Sequence, residues 1–378
     1  MQIQSMSNAK QNAITACQHT TVHPLVQLTE NRTFATSCRH SFCFWSPSRA
    51  SMIASLVNAA ELLEPYSPQV PTDQLIVALN RWYHEHEVKT YDHEHEEIRH
   101  QLPPLWEAMV ATAVSRHTQQ PWRILNFGCG TGFEASLLLQ FLAPESIDEL
   151  WCYDLSPEML EMCKATMGPK FPKAHFVNSL DELPSDGRFN LFATNSVLHH
   201  LPSPAETLES MLPHLSDTAI WLAGHEPSSR YYKNPICCET YRRFLQTHRR
   251  RRWLSPSAYL NFALRKTGLR ETPAQAAAIS AVNAGMLERR PSLRVVSRLV
   301  DLHVAHSSEE AEAGRGFDID EMTNHFSNDW ELCSYKAYSF MGSFYEGGLS
   351  RNWQNECRRL AEQYPKDGAN FCSVWQRC

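Results

Sequence analysis

Apolar positions in the middle of the chain alternate between strand-like runs and helix-like periods. The stretch after Ser156 predicts a well-marked helix, with Pro157 at its first position and Gly168-Pro169 as its stop. Strands that alternate with helices at this spacing indicate a parallel sheet covered by helices on both faces. The predicted strands are the short apolar runs at residues 124–127, 150–153, 174–177, 189–193 and 219–223.

The segments on either side of this core follow other patterns. Residues 1–50 are polar and lack a sustained period, so we expect a poorly ordered leader. Pro103-Pro104 predicts a break, after which a new helix begins at Leu105. The chain therefore divides into the leader (1–50), an N-terminal helical lid (51–120), the alternating core (121–226), a helical insertion (227–315), and a last helix with two further strands (316–378).

Composition and charge argue against several classes of protein. A formal net charge of −6 over 378 residues gives no reason to expect nucleic acid or an anionic membrane as a partner. The apolar runs are too short for a transmembrane helix, and the N-terminus lacks the basic-then-apolar order of a signal peptide. We therefore expect a cytoplasmic location without a membrane partner. The 12 cysteines are scattered without a Cys-x-x-Cys pair, which favours buried free thiols over zinc.

Three glycines follow the first predicted strand at alternate positions, Gly128, Gly130 and Gly132. A turn of this kind brings backbone N–H groups up to a ligand without interference from Cβ atoms. Asp154 ends the next predicted strand and is well placed to accept hydrogen bonds from two ribose hydroxyls. Phe133 stands where a dinucleotide fingerprint needs its third glycine, so the spacing favours a different nucleoside ligand.

The Gly-x-Gly-x-Gly pattern resembles motif I of the class I methyltransferases that depend on S-adenosylmethionine (SAM). The resemblance implies an α/β fold: a Rossmann-like, seven-stranded sheet with helices on both faces and an antiparallel pair at its edge. It also implies SAM as the cofactor, with the insertion and the lid forming the acceptor pocket. The residues it assigns to the cofactor are Tyr91, Asn126, Gly128, Cys129, Gly130, Gly132, Asp154, Leu155, Ser179, Leu180 and Asn195.

Two of these residues depart from the pattern of the family. Asn126 replaces the carboxylate that usually ends the first strand, and Ser179 replaces an Asp that faces the adenine amine. Asn126 can still donate and accept hydrogen bonds, but the charge-assisted contact is lost. Because the glycines and Asp154 are retained, we expect weaker SAM binding rather than loss of activity.

Methyl transfer from a sulfonium requires the acceptor atom to be held in line with the methyl group. An O–H or protonated amine acceptor must also lose a proton to a base. His200, His225 and Glu226 follow the fourth and fifth predicted strands and are the candidate catalytic residues, with His200 as the base. A helix-capping role for His200 and a salt bridge for Glu226 remain open, and His199 is expected to pack.

Two other clusters are conspicuous. The histidine-rich, acidic stretch at residues 84–100 predicts a solvated helix, and no metal is predicted because the histidine pairs two apart divide between helix faces. The insertion carries an arginine run at 249–252, and Tyr231, Arg250 and Arg251 are the candidate substrate residues. The run is interpreted as an anion clamp, a solvated helix face or an RNA contact.

The predicted function is transfer of the SAM methyl group to an oxygen or nitrogen of a small, partly apolar metabolite that can carry an anionic group. An RNA methyltransferase that uses the arginine run is one alternative, although nucleic acid is not the expected partner. The other alternative is a non-catalytic subunit with a SAM-binding fold, which the two departures from the family pattern suggest.

Overall fold

The computed structural model describes residues 58–88, 90–91, 95–117, 121–252 and 272–378, without the side chains of 96, 97, 248–252 and 343. All of these residues belong to the unit Trp45–Cys378. The predicted leader lies outside the described residues. In the described part of the chain, no helix has both the length and the apolar character needed to cross a membrane.

A seven-stranded sheet forms the centre of the described chain. Its strands run in the order β3-β2-β1-β4-β5-β8-β6. The first five are parallel, and β8 is antiparallel to both of its neighbours, which confirms the predicted fold class. The strands are β1 (Trp122–Phe127), β2 (Ile147–Tyr153), β3 (Ala174–Val177), β4 (Phe189–Asn195), β5 (Leu215–Pro227), β6 (Trp330–Tyr338), a short β7 (Phe340–Ser343) outside the sheet, and β8 (Asn370–Arg377).

Helices connect these strands and extend the chain at both ends of the core. The helix predicted after Ser156 is present, and the Ser156 side chain accepts a hydrogen bond from the Met159 N–H as its N-cap. The helices are α1 (Thr72–Glu87), α2 (Glu96–Arg116), α3 (Phe133–Phe141), α4 (Pro157–Met167), α5 (Pro204–Met211), α6 (Ser229–Lys233), α7 (Pro235–Arg252), α8 (Pro273–Asn283), α9 (Leu293–Val300), α10 (Ser308–Glu312), α11 (Ile319–Phe326) and α12 (Arg351–Gln363).

The two faces of the sheet bury separate apolar clusters. Neighbouring residues of β1 point to opposite faces, so Ile124 packs with the face covered by α2, α3 and α4, whereas Leu125 packs with the other face. Trp221 and Trp375 pair across β5 and β8 on this second face and stack at 5.7 Å. The core therefore has the layered form that the alternating pattern predicts.

The predicted helix break at Pro103-Pro104 is wrong. Helix α2 continues through both prolines and already begins at Glu96. Leu102 and Trp106, on either side of the pair, are fully buried against the sheet. Tertiary packing of this face therefore overrides the local cost of the missing backbone N–H groups.

The N-terminal segment and the insertion meet in a third apolar cluster. Leu75, Ile76 and Leu79 of α1 pack against the alanines of α8 and against Val296 and Leu299 of α9. We call α1, α8 and α9 the cap. Small alanine side chains on α8 allow the helices to approach closely, and Ala277, Ala278 and Ala281 are completely buried there.

Candidate active site

The glycine loop after β1 has the backbone that the sequence predicts. Gly128, Gly130 and Gly132 have φ values of 73°, 51° and 87°, in the left-handed region that glycine adopts without strain. The Asp154 carboxylate accepts hydrogen bonds from the Gly130 N–H at 2.8 Å and the Ser156 N–H at 2.9 Å. Asp154 therefore joins the end of β2 to the loop, and each of its oxygens retains a lone pair for a further donor.

A cavity of about 280 Å³ opens beside this loop, and we call it the glycine-loop cavity. Its lining is mostly apolar, with a few polar groups at the ends of the strands. Asn195 is held there by the Trp106 indole, which donates to its side-chain oxygen at 3.2 Å. The lining includes the predicted cofactor residues Tyr91, Gly128, Gly130, Asp154, Leu155, Leu180 and Asn195.

The other predicted cofactor residues lie outside this lining. Cys129 is buried under the loop, Gly132 caps α3, and Ser179 caps the turn Leu180–Glu182. Asn126 is fully buried, and neither its side-chain nitrogen nor its oxygen has a hydrogen-bond partner among the described residues. A buried amide without partners is unfavourable by itself, so the end of β1 fits a site that a polar ligand completes.

A second cavity of about 410 Å³ adjoins the first, and we call it the histidine cavity. Its lining combines titratable side chains with the hydroxyl-bearing rings of Tyr83, Tyr232 and Tyr241. Six histidines from distant parts of the chain meet in this cavity. The two cavities share four lining residues, which are His84, Tyr91, Ser196 and His200. The histidines of the lining are His84, His95, His199, His200, His225 and His306.

His200 lies where the two cavities meet, which we call the cavity junction, and a hydrogen bond defines its tautomer. Its Nδ1 lies 2.8 Å from the Val300 carbonyl oxygen, which can only accept, so Nδ1 carries the proton and Nε2 carries the lone pair. Burial, followed by the nearby His199 and His84, holds the pKa of His200 well below its usual value. His200 is therefore a neutral imidazole at physiological pH.

His199 has the opposite character because it pairs with Glu226. Its Nδ1 lies 2.9 Å from the Glu226 carboxylate, which is completely buried and also accepts from the Val197 and Leu198 N–H groups. Burial opposes protonation, but the hydrogen bond to Glu226 raises the pKa of His199 above its usual value. Sequence reasoning missed this pair, because His199 was expected only to pack.

Glu226 and His225 take different positions although they are neighbours. Glu226 lies outside the lining of both cavities and anchors the turn Leu198–His200 to β5. His225 lines the histidine cavity, with φ of 53° and its Nδ1 2.5 Å from the Tyr338 hydroxyl. The structure therefore brings His200 and His225 to one cavity. Glu226 lies outside that cavity and pairs with His199, which lines it.

The predicted substrate residues are dispersed. Tyr231 is fully buried outside both cavities, and its hydroxyl donates a hydrogen bond to the Phe340 carbonyl oxygen at 3.0 Å. Its neighbour Tyr232 lines the histidine cavity instead. The side chains of Arg250 and Arg251 lie outside the described part of the chain. Arg230 is bound by Asp318, Asp320 and Asp367, so this arginine ties the insertion to the C-terminal segment.

The prediction of a solvated helix at residues 84–100 is wrong for Glu87. This carboxylate is only 4% exposed and lies within 3.3 Å of His84 Nδ1 and 3.1 Å of His95 Nε2. Burial by itself would raise the pKa of Glu87, yet the hydrogen bonds from His84 and His95 lower it to about 2. The clue in the sequence is spacing, because residues 84 and 87 share a helix face.

Two groups of side chains lie close enough to share a metal ion. They are Cys129 with Cys152 and Cys163, and His199 with His200 and Asp301, with potential ligand atoms within 4.8 Å of one another. Within the described ranges, neither group includes a histidine of residues 84–100. The expectation of no resident metal stays a prediction.

Comparison with known proteins identifies the domain. Residues 98–272 match the family model described as a methyltransferase domain. The chain is also similar to the non-reducing polyketide synthase SAT8 of Stachybotrys chartarum, with 28% identity over 120 residues. That match covers 30% of this chain and 5% of the synthase, so the chain spans only a small part of this relative's length.

Solved structures with a similar fold include methyltransferases. The plantazolicin methyltransferase BpumL in complex with SAH, the demethylated product of SAM, has 12% identity, covers 88% of this chain and 97% of its own, and gives a TM-score of 0.38. A SAM-dependent methyltransferase from Mesorhizobium loti has 13% identity, covers 72% of this chain and 97% of its own, and gives a TM-score of 0.36.

The domain match, the strand order and the glycine loop agree with one another. Residues 98–272 match a methyltransferase domain, and the seven-stranded sheet has the architecture expected from the resemblance to the class I family. The chain therefore carries a match to a methyltransferase domain within these residues.

Proposed function

We propose that this enzyme transfers the methyl group of SAM to an oxygen or nitrogen atom of a small molecule bound in the histidine cavity. The observation that carries the proposal is the shared lining of the two cavities by His84, Tyr91, Ser196 and His200. Bound SAM supplies an electrophilic methyl group. Because displacement requires the two reactants in line and in contact, a junction of two cavities suits this reaction.

The chain's own residues then have distinct roles. Gly128 and Gly130 leave room for the cofactor, and Asp154 accepts hydrogen bonds from its ribose. Neutral His200 takes the acceptor proton on Nε2, while His225 contacts the acceptor farther inside the histidine cavity. Glu226 is a positioning residue, since it fixes the turn that carries His199 and His200.

The size and lining of the histidine cavity support a small, partly apolar acceptor. About 410 Å³ lies in the usual range for small-molecule sites, and the rings of Tyr83, Tyr232 and Tyr241 offer apolar faces with hydroxyl edges. The similarity to a polyketide synthase favours an oxygenated carbon skeleton of that chemical kind. An RNA acceptor has weaker support, because the formal net charge of the chain is −6 and its basic cluster is confined to one short segment.

A transfer assay with SAM labelled on its methyl group separates these acceptors. A cell extract is divided into small-molecule, RNA and protein fractions, and each fraction is incubated with the enzyme and with Gly130→Val as the control. We expect label in the small-molecule fraction only, with loss in the control. Label confined to RNA or protein would contradict the proposal, and absence of label in every fraction alongside tight SAM binding would favour a non-catalytic subunit.

A further inference from the structure

Three buried cysteines converge beneath the glycine loop. Cys129 belongs to the loop, Cys152 to β2 and Cys163 to α4, and none of them is more than 2% exposed. Their sulfur atoms all lie within 4.8 Å of one another, and we call these three residues the thiol cluster. The proposed methyl transfer uses none of these thiols, so the cluster is open to a role of its own.

The backbone around the thiol cluster is well fixed. The Cys129 N–H donates to the Tyr153 carbonyl oxygen at 2.9 Å, and the Cys129 carbonyl oxygen accepts from the Gly132 N–H at 2.9 Å. A Cβ atom on Gly132 would lie 3.1 Å from the sulfur of Cys163, so the loop packs directly on α4. Because fixed elements carry the sulfur atoms, the cluster needs little rearrangement to bind a single ion.

The spacing of the sulfur atoms suits one shared ion. Metal–thiolate bonds are about 2.3 Å long, so three sulfur atoms around one ion lie roughly 4 Å apart. The separations of up to 4.8 Å therefore have to shorten by less than about 1 Å. The lack of a Cys-x-x-Cys pair in the sequence does not argue against this site, because its cysteines come from three separate segments.

The ligand set determines which ion fits. Thiols and thiolates are soft ligands, which favour Cu(I) and Zn(II) among biological ions. Zn(II) takes a fourth ligand, which is a side chain or a water molecule. In the described ranges, the group contains no fourth histidine, cysteine, aspartate or glutamate, and its burial excludes water. Three sulfur ligands satisfy Cu(I), so this ion fits the cluster better.

We propose that the thiol cluster binds Cu(I) through its three sulfur atoms. The ion exchanges for one thiol proton, which leaves to solvent, so the net charge of the buried group is unchanged and nothing is oxidised or reduced. One sulfur binds as a thiolate and the other two bind through lone pairs. Gly128 and Gly130, on either side of Cys129, line the glycine-loop cavity, which gives the ion a path to the cluster.

The test is a titration of the reduced protein with Cu(I) in competition with bicinchoninate, a chelator whose Cu(I) complex is coloured. The wild type should remove one Cu(I) per chain from the chelator. Cys163→Ala should bind at least about a hundredfold more weakly, because even the loss of an outer partner weakens metal sites about ten- to a hundredfold. Cys357→Ala is the matched control, since Cys357 is also a buried cysteine on a helix but lies in α12. It should bind Cu(I) as the wild type does.

A second variant and a second measurement decide the outcome if Cys163→Ala does not fold. Cys129→Ala changes the loop instead of a helix, and it should lose the same affinity. X-ray absorption at the copper edge, measured on the wild type with one Cu(I) per chain, should show three sulfur neighbours at about 2.3 Å.

Three results would overturn the inference. The first is a wild-type protein that removes no Cu(I) from the chelator. The second is equal affinity in the wild type and the cluster variants, or the same loss in Cys357→Ala. The third is nitrogen neighbours around copper, which would place the ion at His199, His200 and Asp301 instead. The site is independent of the proposed methyl transfer, so the labelled-methyl assay and the copper titration test separate claims.

Discussion

At the residue scale, two adjacent histidines differ because their Nδ1 atoms have different acceptors. His199 bonds to the buried Glu226 carboxylate, which favours its protonated form, and His200 bonds to a backbone carbonyl, which compensates burial only in part. The two rings are only 4.0 Å apart between centroids, so a charge on one disfavours a charge on the other. His200 is consequently the neutral member and the better candidate for the base.

Asp154 offers a direct test of the cofactor site. Replacing it with Asn removes the charge that ribose hydroxyls would bind and leaves one of the two backbone N–H groups without an acceptor, so the affinity for SAH should fall roughly thirty- to a hundredfold, or about 2–3 kcal/mol. Calorimetry with SAH and with its 2′,3′-dideoxy analogue tests whether the ribose hydroxyls are the groups that Asp154 binds. The preference of the wild type for SAH should largely disappear in Asp154→Asn, and an unchanged preference would exclude ribose binding by Asp154.

Gly130 has a matched control elsewhere in the chain. Gly130 and Gly285 have φ values of 51° and 70°, and a Cβ atom on either would have no described neighbour within 4 Å. Alanine should therefore cost similar backbone strain, about 1 kcal/mol, at both positions. Only Gly130 lines the glycine-loop cavity. Gly130→Ala should weaken SAH binding and Gly285→Ala should not; equal affinities would show that the loop does not contact the cofactor.

At the element scale, the sequence predicted the units that depend on local signals. The five parallel strands and the Ser156-capped α4 follow from apolar period and capping residues, which a single segment contains. The path of α2 through its prolines could not be predicted, because distant residues of the sheet bury that helix. The contact of His199 with Glu226 was also missed, since it depends on how β4 and β5 align.

The anchored turn Leu198–His200 should give the protein a specific pH dependence of stability. The folded-state pKa of His199 is raised above its unfolded value of about 6.5, so the pair stabilises the fold fully below that pH. This contribution is lost as the pH rises through the folded-state value. The unfolding free energy of the wild type, relative to His199→Gln, should thus decrease from about pH 5.5 to 8.5.

Urea unfolding over this pH range measures that difference. A group whose shifted pKa does not depend on His199, such as Glu87, contributes to both proteins and cancels in the comparison. His214→Gln is the control, because His214 is also buried but bonds to the Pro184 carbonyl instead of a carboxylate. A constant difference between wild type and His199→Gln would mean that His199 and Glu226 do not share a proton in the fold.

At the scale of the whole molecule, the site is assembled from segments far apart in the chain. Helix α1 of the cap contributes His84 and also Asn80, whose side chain donates to the His200 carbonyl at 3.3 Å. The turn after β4 contributes His200, and the end of β5 contributes His225. A sequence motif predicts the glycine loop as the cofactor site, but the proposed acceptor side has no comparable motif because its residues become neighbours only in the fold.

The central claim is that neutral His200 at the cavity junction removes the acceptor proton. The most direct measurement is kcat of His200→Gln and His225→Gln with the acceptor fraction that the labelled-SAM assay identifies, at saturating SAM. We predict a loss of about a hundred- to ten-thousandfold in His200→Gln with SAH affinity preserved, and a smaller loss in His225→Gln. Wild-type turnover by His200→Gln, or the large loss in His225→Gln instead, would contradict the account.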